Sequence, residues 1–274
     1  MEVTHHLDQK ESVTKMLADY EDLKARAIAN IKEYNPSNIG YLTDTCADVF
    51  YSKAFLGAPD AKEALRDYVD ALVASLHFAL HAGKKFSYTF KGETVEVTAE
   101  DKDYQVSPHT WNTAFFGATV LGDAKTLDAL CAIDLEQLAA TSKEEKDYTL
   151  SMAVALKAFY TKDDKYPELL RDALKDNMNV PKDNWLYSKA MDIDGPALEL
   201  LYLLLLERNE QFNERLLDAL KWHKRYSLMM INKGYDNGTF LISLPISAMV
   251  KLAKKLKQIP IEHTSPYIPG FLTE

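Results

Sequence analysis

Two histidines have a spacing that could support metal chemistry. His77 and His81 lie four residues apart, which places both imidazoles on one face of a helix. Asp70 lies on the same face two turns earlier. A helix rises ~1.5 Å per residue, so Asp70 lies roughly 10 Å along the axis from His77. This distance is too long for Asp70 and the histidines to share one ion. We therefore predict that these side chains lie on the flank of a helix and bind no metal.

Two other candidates for chemistry have structural explanations. His223 falls on the apolar stripe of a helical segment, which is typical of a histidine that is hydrogen-bonded in or near the core. Asp192 and Asp194 form a carboxylate pair that could hold a metal ion. Asp194 also directly precedes Gly195-Pro196, however, and this pattern is typical of a helix N-cap. We therefore predict capping here.

The common catalytic and cofactor motifs are absent. Only 10 of the 274 residues are glycine, and neither of the glycine-rich phosphate-binding loops, GxGxxG or GxxxxGK[ST], occurs. The GxSxG and HExxH motifs are absent as well. Cys46 and Cys131 lie in no CxxC motif, and two cysteines cannot form a disulfide framework. We expect neither an enzyme nor a bound cofactor or metal.

The charge of the chain restricts its partners. The net charge of −9 comes from 41 acids and 32 bases, whereas a nucleic-acid-binding protein needs a basic footprint. Residues 1–200 contain 34 acids and 22 bases, a net charge of −12, and residues 201–274 contain 7 acids and 10 bases, a net charge of +3. We predict a basic protein partner that is attracted by the first three quarters of the chain.

The sequence also predicts the compartment. Residues 1–12 do not combine a basic region with an apolar stretch, and the longest apolar run, 200–206, is far shorter than the ~18 residues that span a bilayer. We expect a cytoplasmic protein with no membrane partner.

Aromatic residues beside charged loops are candidates for an interface, because Tyr and Trp are enriched in protein interfaces. One such group follows an acidic stretch at 100–103, and another follows Lys182 and its polar neighbours. The predicted partner-binding residues are Asp101, Asp103, Tyr104, Asp183, Trp185 and Tyr187.

These residues must be positioned by a largely helical fold. Alternating β-branched and aromatic residues around Lys91-Gly92 predict one small β-hairpin at 86–98. We predict an all-α fold of stacked antiparallel helices, a helical-repeat-like bundle that forms one domain over 1–274. Apolar periodicity and the positions of proline and glycine predict helices at 8–34, 38–56, 61–82, 107–121, 123–132, 135–141, 143–161, 167–177, 186–192, 196–208, 210–231 and 243–257.

Two functional alternatives remain open from the residues alone. The tripeptide Asp-Ala-Leu recurs at 128–130, 172–174 and 218–220, spacings that are typical of a helical-pair repeat. This recurrence predicts a repeat scaffold or adaptor that binds a peptide or a regulatory protein. The second alternative is a small-molecule enzyme that uses histidines and Asp70 in a helical cavity.

The C-terminal quarter is the most distinctive part of the sequence. It contains an apolar stretch from Gly195 to Arg208, the segment 212–226, the segment 240–249 and the tail Ser265-Pro-Tyr-Ile-Pro269. In order and spacing this series resembles the immunity protein 49 family of bacterial polymorphic toxin systems over roughly 195–272, with a fainter likeness upstream. The sequence departs from the family pattern at 251–257, which is more basic than usual.

The resemblance implies an all-helical cytosolic immunity protein with no catalytic residues. Such a protein would bind and neutralise a cognate toxin that acts in the cytoplasm, and would protect the producing cell and its siblings. The six predicted binding residues are then predicted to contact the toxin.

Overall fold

The computed structural model describes residues 2–5, 10–33, 39–90, 93–99, 106–141, 148–234 and 238–274. The chain divides into two compact units. The N-terminal unit is Gln9–Lys146, and the C-terminal unit combines Asp147–Glu274 with Met1–Asp8. The expectation of one domain over the whole chain stays a prediction.

The N-terminal unit consists of helices and one hairpin. Its elements are α1 (Lys10–Glu33), α2 (Ile39–Leu56), α3 (Ala61–Leu80), β1 (Lys85–Phe90), β2 (Glu93–Thr98), α4 (Pro108–Leu121), α5 (Ala124–Ala132) and α6 (Leu135–Thr141). Helix α2 packs between α1 and α3, and α3 also contacts α4, α6 and β1. The predicted antiparallel hairpin is confirmed, with Lys85 opposite Thr98 and Phe90 opposite Glu93. Its turn, Lys91-Gly92, lies outside the described residues.

The core of this unit is aromatic and includes one buried ion pair. Trp111 is fully buried, stacks on Phe115 at 5.2 Å between ring centroids, and donates its indole N–H to the Leu130 carbonyl oxygen at 2.9 Å. Lys24 of α1 pairs with Asp67 of α3, and both side chains are buried. A buried charge requires such a partner, so this pair fixes α1 against α3.

The C-terminal unit contains the elements that matter most for the site described below. They are α7 (Tyr148–Thr161), α8 (Tyr166–Met178), α9 (Tyr187–Lys189), a π-helix (Ala190–Asp194), α10 (Gly195–Leu205), α11 (Asn209–Asn232), a 3₁₀ turn (Gly238–Phe240), α12 (Leu244–Lys257) and α13 (Gly270–Thr273). Helix α10 contacts α8, α11 and α12. Its side chains Leu200, Leu201 and Leu204 are buried, as the apolar run predicted.

The tail that carries the family-like motif is part of the core of this unit. Tyr267 is fully buried, with the rings of His5 and His223 each 4.7 Å from its own ring. The Ser265 hydroxyl donates to the Val3 carbonyl oxygen at 3.0 Å. The prediction for His223 is confirmed, because this residue is 3% exposed and its Nε2 lies 3.3 Å from the carbonyl oxygen of residue 240.

The sequence prediction fails at the start of α10. Asp194 has helical backbone angles, φ −77° and ψ −44°, and its side chain makes no cap hydrogen bond. The predicted cap is wrong because the preceding residues continue as the π-helix, and the carboxylate instead accepts hydrogen bonds from Tyr148 and Lys189. Asp60 likewise makes no cap bond, although α3 begins directly after it. Its carboxylate binds Lys53 at 2.6 Å.

The fold is all-α apart from the hairpin, as predicted. The three occurrences of Asp-Ala-Leu lie inside α5, α8 and α11. Among the described residues, no helix combines the length and the apolar character needed to cross a membrane.

Gly195 gives a direct test of the packing around the π-helix. A Cβ atom at this position would overlap Asn177 Oδ1 and lie 2.9 Å from the Ala190 carbonyl oxygen. We expect Gly195→Ala to lower the free energy of unfolding by about 1–3 kcal/mol, because either the buried Asn177 side chain or the π-helix must shift. Urea denaturation followed by circular dichroism measures this change.

Gly270→Ala is the matched control in the same unit. The nearest atom to its added Cβ is Glu274 Oε1 at 3.7 Å, an ordinary contact. We expect a change within about 0.5 kcal/mol. Equal stability of the two variants would contradict the packing described for Gly195.

Candidate partner-binding surface

Among the described residues of the C-terminal unit, the two most exposed large apolar side chains lie close together in sequence. Trp185 is 77% exposed and Met178 is 74% exposed. Both belong to residues 178–187, which connect the end of α8 to the start of α9 and are called the anchor segment below. Among the described residues, Trp185 forms no hydrogen bond and no ring contact. A solvent-exposed tryptophan is a candidate interface residue, because tryptophan is enriched among the residues that dominate binding energy.

A turn organised by Asn184 aims the side chains of the anchor segment. The Asn184 N–H donates to the Pro181 carbonyl oxygen at 3.0 Å, and its side-chain oxygen accepts the N–H of Leu186 at 2.8 Å. Its carbonyl oxygen accepts the N–H of Tyr187 at 3.0 Å. With these bonds made, Trp185 points into solvent while Leu186 is 9% exposed.

Leu186 attaches the anchor segment to the rest of the unit. It forms a small buried cluster with Tyr148 of α7 and Ala190 of the π-helix, and Val180 and Met191 pack against this cluster. The Ala190 N–H also donates to the Leu186 carbonyl oxygen at 2.8 Å. The exposed tryptophan is therefore next to a residue that is fixed in the core.

Asp194 stabilises this cluster through hydrogen bonds to two neighbouring side chains. Its side chain is 5% exposed, and its Oδ2 accepts the Tyr148 hydroxyl at 2.7 Å and the Lys189 ammonium at 2.7 Å. Burial of a carboxylate is costly unless it is paired and hydrogen-bonded, and both conditions are met here. Asp194 thus ties α7 to the π-helix and to α9.

Asp192, the other carboxylate of the π-helix, binds α11. Arg225 donates from Nε to Asp192 Oδ2 at 3.1 Å and from its terminal nitrogen to Oδ1. The Asp192 side chain is 8% exposed, whereas that of Arg225 is 64% exposed. These hydrogen bonds raise the pKa of Arg225, as does the nearby Tyr187 to a smaller extent. The fixed guanidinium thus belongs to the same surface as the end of the anchor segment.

The structure describes half of the predicted binding residues. Asp101, Asp103 and Tyr104 lie outside the described residues. Asp183 and Trp185 are exposed, and Tyr187 is half-buried. The anchor segment brings these last three residues together, and their role in binding stays a prediction.

Sequence reasoning missed two members of this surface. Met178 is the last residue of α8, where a methionine is usually a core residue, and its exposure follows only from the position of the helix end. Arg225 was missed because its partner, Asp192, lies 33 residues earlier in the chain. The only signal in the sequence was the position of Met178 seven residues before Trp185.

The histidines and Asp70 of the small-molecule enzyme alternative are divided between the N-terminal and the C-terminal units. Within the described ranges, no group of three or more His, Cys, Asp or Glu side chains could hold a metal ion. His81 directs its Nδ1 to the His77 carbonyl oxygen at 2.7 Å. Burial, and to a lesser extent His81, lowers the pKa of His77. Burial raises the pKa of Asp70 to about 6, opposed by Arg66 and reinforced by the acids Asp67 and Asp123.

Comparisons with known proteins give one match. A family model described as "Immunity protein 49" matches residues 60–272, which is most of the chain and includes nearly all of the C-terminal unit. No curated protein and no solved structure matches significantly.

Asp70 provides a prediction about pH. A folded-state pKa of about 6 is higher than the ~3.9 of an unfolded aspartate, so ionisation of Asp70 disfavours the fold as pH rises from 4 through 6. We expect Asp70→Asn to stabilise the protein by about 1 kcal/mol at pH 7.5, a figure reduced for the solvent screening of this part-exposed group. The gain should vanish below pH 4.

The measurement is urea denaturation between pH 4 and pH 7.5, with Asp19→Asn as the control. Asp19 is exposed on α1 of the same unit, and we expect this variant to follow the parent protein at every pH. A loss of stability in Asp70→Asn at pH 7.5 would contradict the description of Asp70 as a partly buried carboxylate whose ionised form disfavours the fold.

Proposed function

This chain belongs to the immunity protein 49 family, and on that basis we propose that it binds and neutralises a cognate bacterial toxin that acts in the cytoplasm. Such binding would protect the producing cell and its siblings in competition between bacteria. The family match over 60–272 is the observation that carries this proposal. The family is generally non-enzymatic, and inhibition here would come from binding alone, without a catalytic residue.

The anchor segment is the proposed toxin-binding surface. Trp185 would be the central contact, because large aromatic side chains that become desolvated supply much of the binding energy of an interface. Met178 adds an adaptable apolar side chain, and Asp183 and Tyr187 supply polar groups at the edge. The turn at Asn184 and the burial of Leu186 support this proposal, since a surface that is already ordered loses little entropy on binding.

The proposed toxin is basic. The N-terminal unit, Gln9–Lys146, contains 22 acids and 15 bases, so it carries −7 of the total −9. Net charge of opposite sign raises association rates by long-range steering, and salt weakens this effect. Asp101 and Asp103 belong to this acidic unit and Tyr104 follows them in the sequence, so all three stay within the proposed toxin-binding residues.

Replacement of Trp185 tests the proposed surface. We expect Trp185→Ala to weaken binding to the toxin domain encoded beside this gene by at least ~30-fold, about 2 kcal/mol, because the central apolar contact is lost. The free energy of unfolding of the Trp185→Ala variant should stay within about 0.5 kcal/mol of that of the parent protein, since the Trp185 side chain is solvent-exposed. Titration calorimetry and urea denaturation measure the two effects.

Leu256→Ala is the matched control for this test. Leu256 is another exposed large apolar side chain of the same unit, on α12, at 51% exposure. Binding by this variant should be unchanged. Full affinity in Trp185→Ala would show that the interface lies outside the anchor segment. Failure of the parent protein to bind the toxin or to restore growth would reject the proposed function for that pair.

Charge reversal tests the steering. We expect replacement of Asp101, Asp103 and Asp183 by Lys to slow association with the toxin most at low salt, because salt screens long-range steering. Stopped-flow association at several salt concentrations measures this effect.

A control triple variant separates local charge from net charge. The same reversal at Glu11, Asp19 and Glu63, which are exposed on α1 and α3, changes the net charge equally. Equal slowing in both variants would indicate steering by the whole protein. Unchanged association in the first variant would place the interface elsewhere.

A further inference from the structure

One face of α11 combines cationic and apolar side chains around an open cavity of about 620 Å³. The spacing of the lining residues, at steps of three and four, places all of them on one side of the helix. None of the described residues that line this cavity is acidic. The lining residues, called the cationic face below, are Lys221, Lys224, Arg225, Leu228, Met229, Asn232 and Lys233.

The position of these cations is not explained by the helix itself. Cations favour the last turn of a helix because they complement its dipole, and this accounts for Lys233 directly after α11. Lys221, Lys224 and Arg225 lie two to three turns before the end of α11, however, where the dipole effect has faded. Their clustering therefore calls for a different explanation.

The partners of these cations in the part of the chain that the structure describes only partly neutralise them. Arg225 is paired with the buried Asp192, and Lys221 lies 3.4 Å from Asp218 in an exposed pair. The Lys224 ammonium donates to the neutral hydroxyl of Thr4 at 2.9 Å. Among the described residues, two carboxylates, Asp192 and Asp218, pair with the four cations of this face, and an exposed ion pair such as that of Lys221 is weak.

The cationic face continues into the anchor segment. Tyr187 lies close enough to Arg225 to affect the pKa of its guanidinium, so the two are neighbours on the surface. Leu228 is 42% exposed between the cations. Arg, Tyr and Trp are the residue types that dominate binding energy in protein interfaces, and all three occur along this continuous surface.

We propose that the cationic face of α11 binds an acidic segment of the toxin, with toxin carboxylates at Lys221, Lys224 and Arg225 and an apolar toxin side chain on Leu228. This inference rests on the proposed function and adds a second contact to it. Arg225 is suited to this role because its guanidinium is already fixed by Asp192 and keeps donors free for a second carboxylate.

Charge favours a protein segment over a nucleic acid as the occupant. The cations extend from Lys221 to Lys233, a rise of roughly 18 Å along α11 and the residue after it, within a chain of net charge −9 that would repel a longer polyanion. A basic toxin can still present a local acidic segment, because net charge governs long-range steering whereas local charge governs the docked contact.

The test reverses two exposed charges without disturbing the buried pair. In Lys221→Glu with Lys233→Glu, Arg225 still neutralises Asp192. The control, Lys254→Glu with Lys255→Glu, makes the same change in net charge at exposed positions on α12. Because steering changes equally in both variants, a difference between them reports the local contact.

The first measurement uses a catalytically inactive form of the neighbouring toxin domain. We expect the α11 variant to bind at least ~10-fold more weakly than the parent, mainly through faster dissociation, and the α12 control to differ by less than about 3-fold. Equal affinities of the two variants, or tighter binding by the α11 variant, would overturn the inference while the proposed function stood.

If the parent protein does not bind that toxin, only the proposed function is rejected for that pair. A second measurement then tests the inference without the toxin. An octaglutamate peptide and a single-stranded DNA oligonucleotide are each titrated into the ¹⁵N-labelled full-length protein. We expect the peptide to shift amide signals of 221–233 and the α11 variant to lose this effect. Shifts caused only by the DNA would assign the face to nucleic acid, and no shift with either probe would overturn the inference.

Discussion

The C-terminal unit depends on the pairing of two buried carboxylates in the π-helix. Asp192 and Asp194 are each less than a tenth exposed, and each would strongly destabilise the fold if it were left unpaired. Arg225, Lys189 and Tyr148 satisfy them. Because these partners come from three different helices, the requirement for pairing fixes α7, α9 and α11 around one short segment.

This constraint links the packing of the fold to the proposed function. Asp194 holds the cluster that contains Leu186, which leaves Trp185 in solvent, and Asp192 holds the arginine of the cationic face. The π-helix is a costly conformation that often occurs at functional sites. The buried tail around Tyr267 has a different role, since its residues lie inside the core. The tail, which is one segment of the family-like series, therefore stabilises the unit, and binding is proposed for the surface.

Local signals in the sequence were sufficient for the helices but not for the site. Apolar periodicity and proline positions predicted most helix bounds to within two residues, and alternation predicted the hairpin, because both depend on neighbours along the chain. Asp194 was predicted as a cap because Gly195-Pro196 follows it, a pattern typical of a helix start. The same residues also occur where a π-helix continues into an α-helix, so the local pattern cannot distinguish the two cases. The pairing of Asp192 with Arg225 depends on tertiary structure, and no local pattern reveals it.

The anchor segment is the proposed toxin-binding surface. Amide hydrogen exchange measured by mass spectrometry, on the protein alone and on its complex with the neighbouring toxin domain, is the most direct test of this proposal. We predict slower exchange on binding for peptides that cover 178–187. Protection confined to other parts of the chain, with unchanged exchange in the anchor segment, would contradict this proposal.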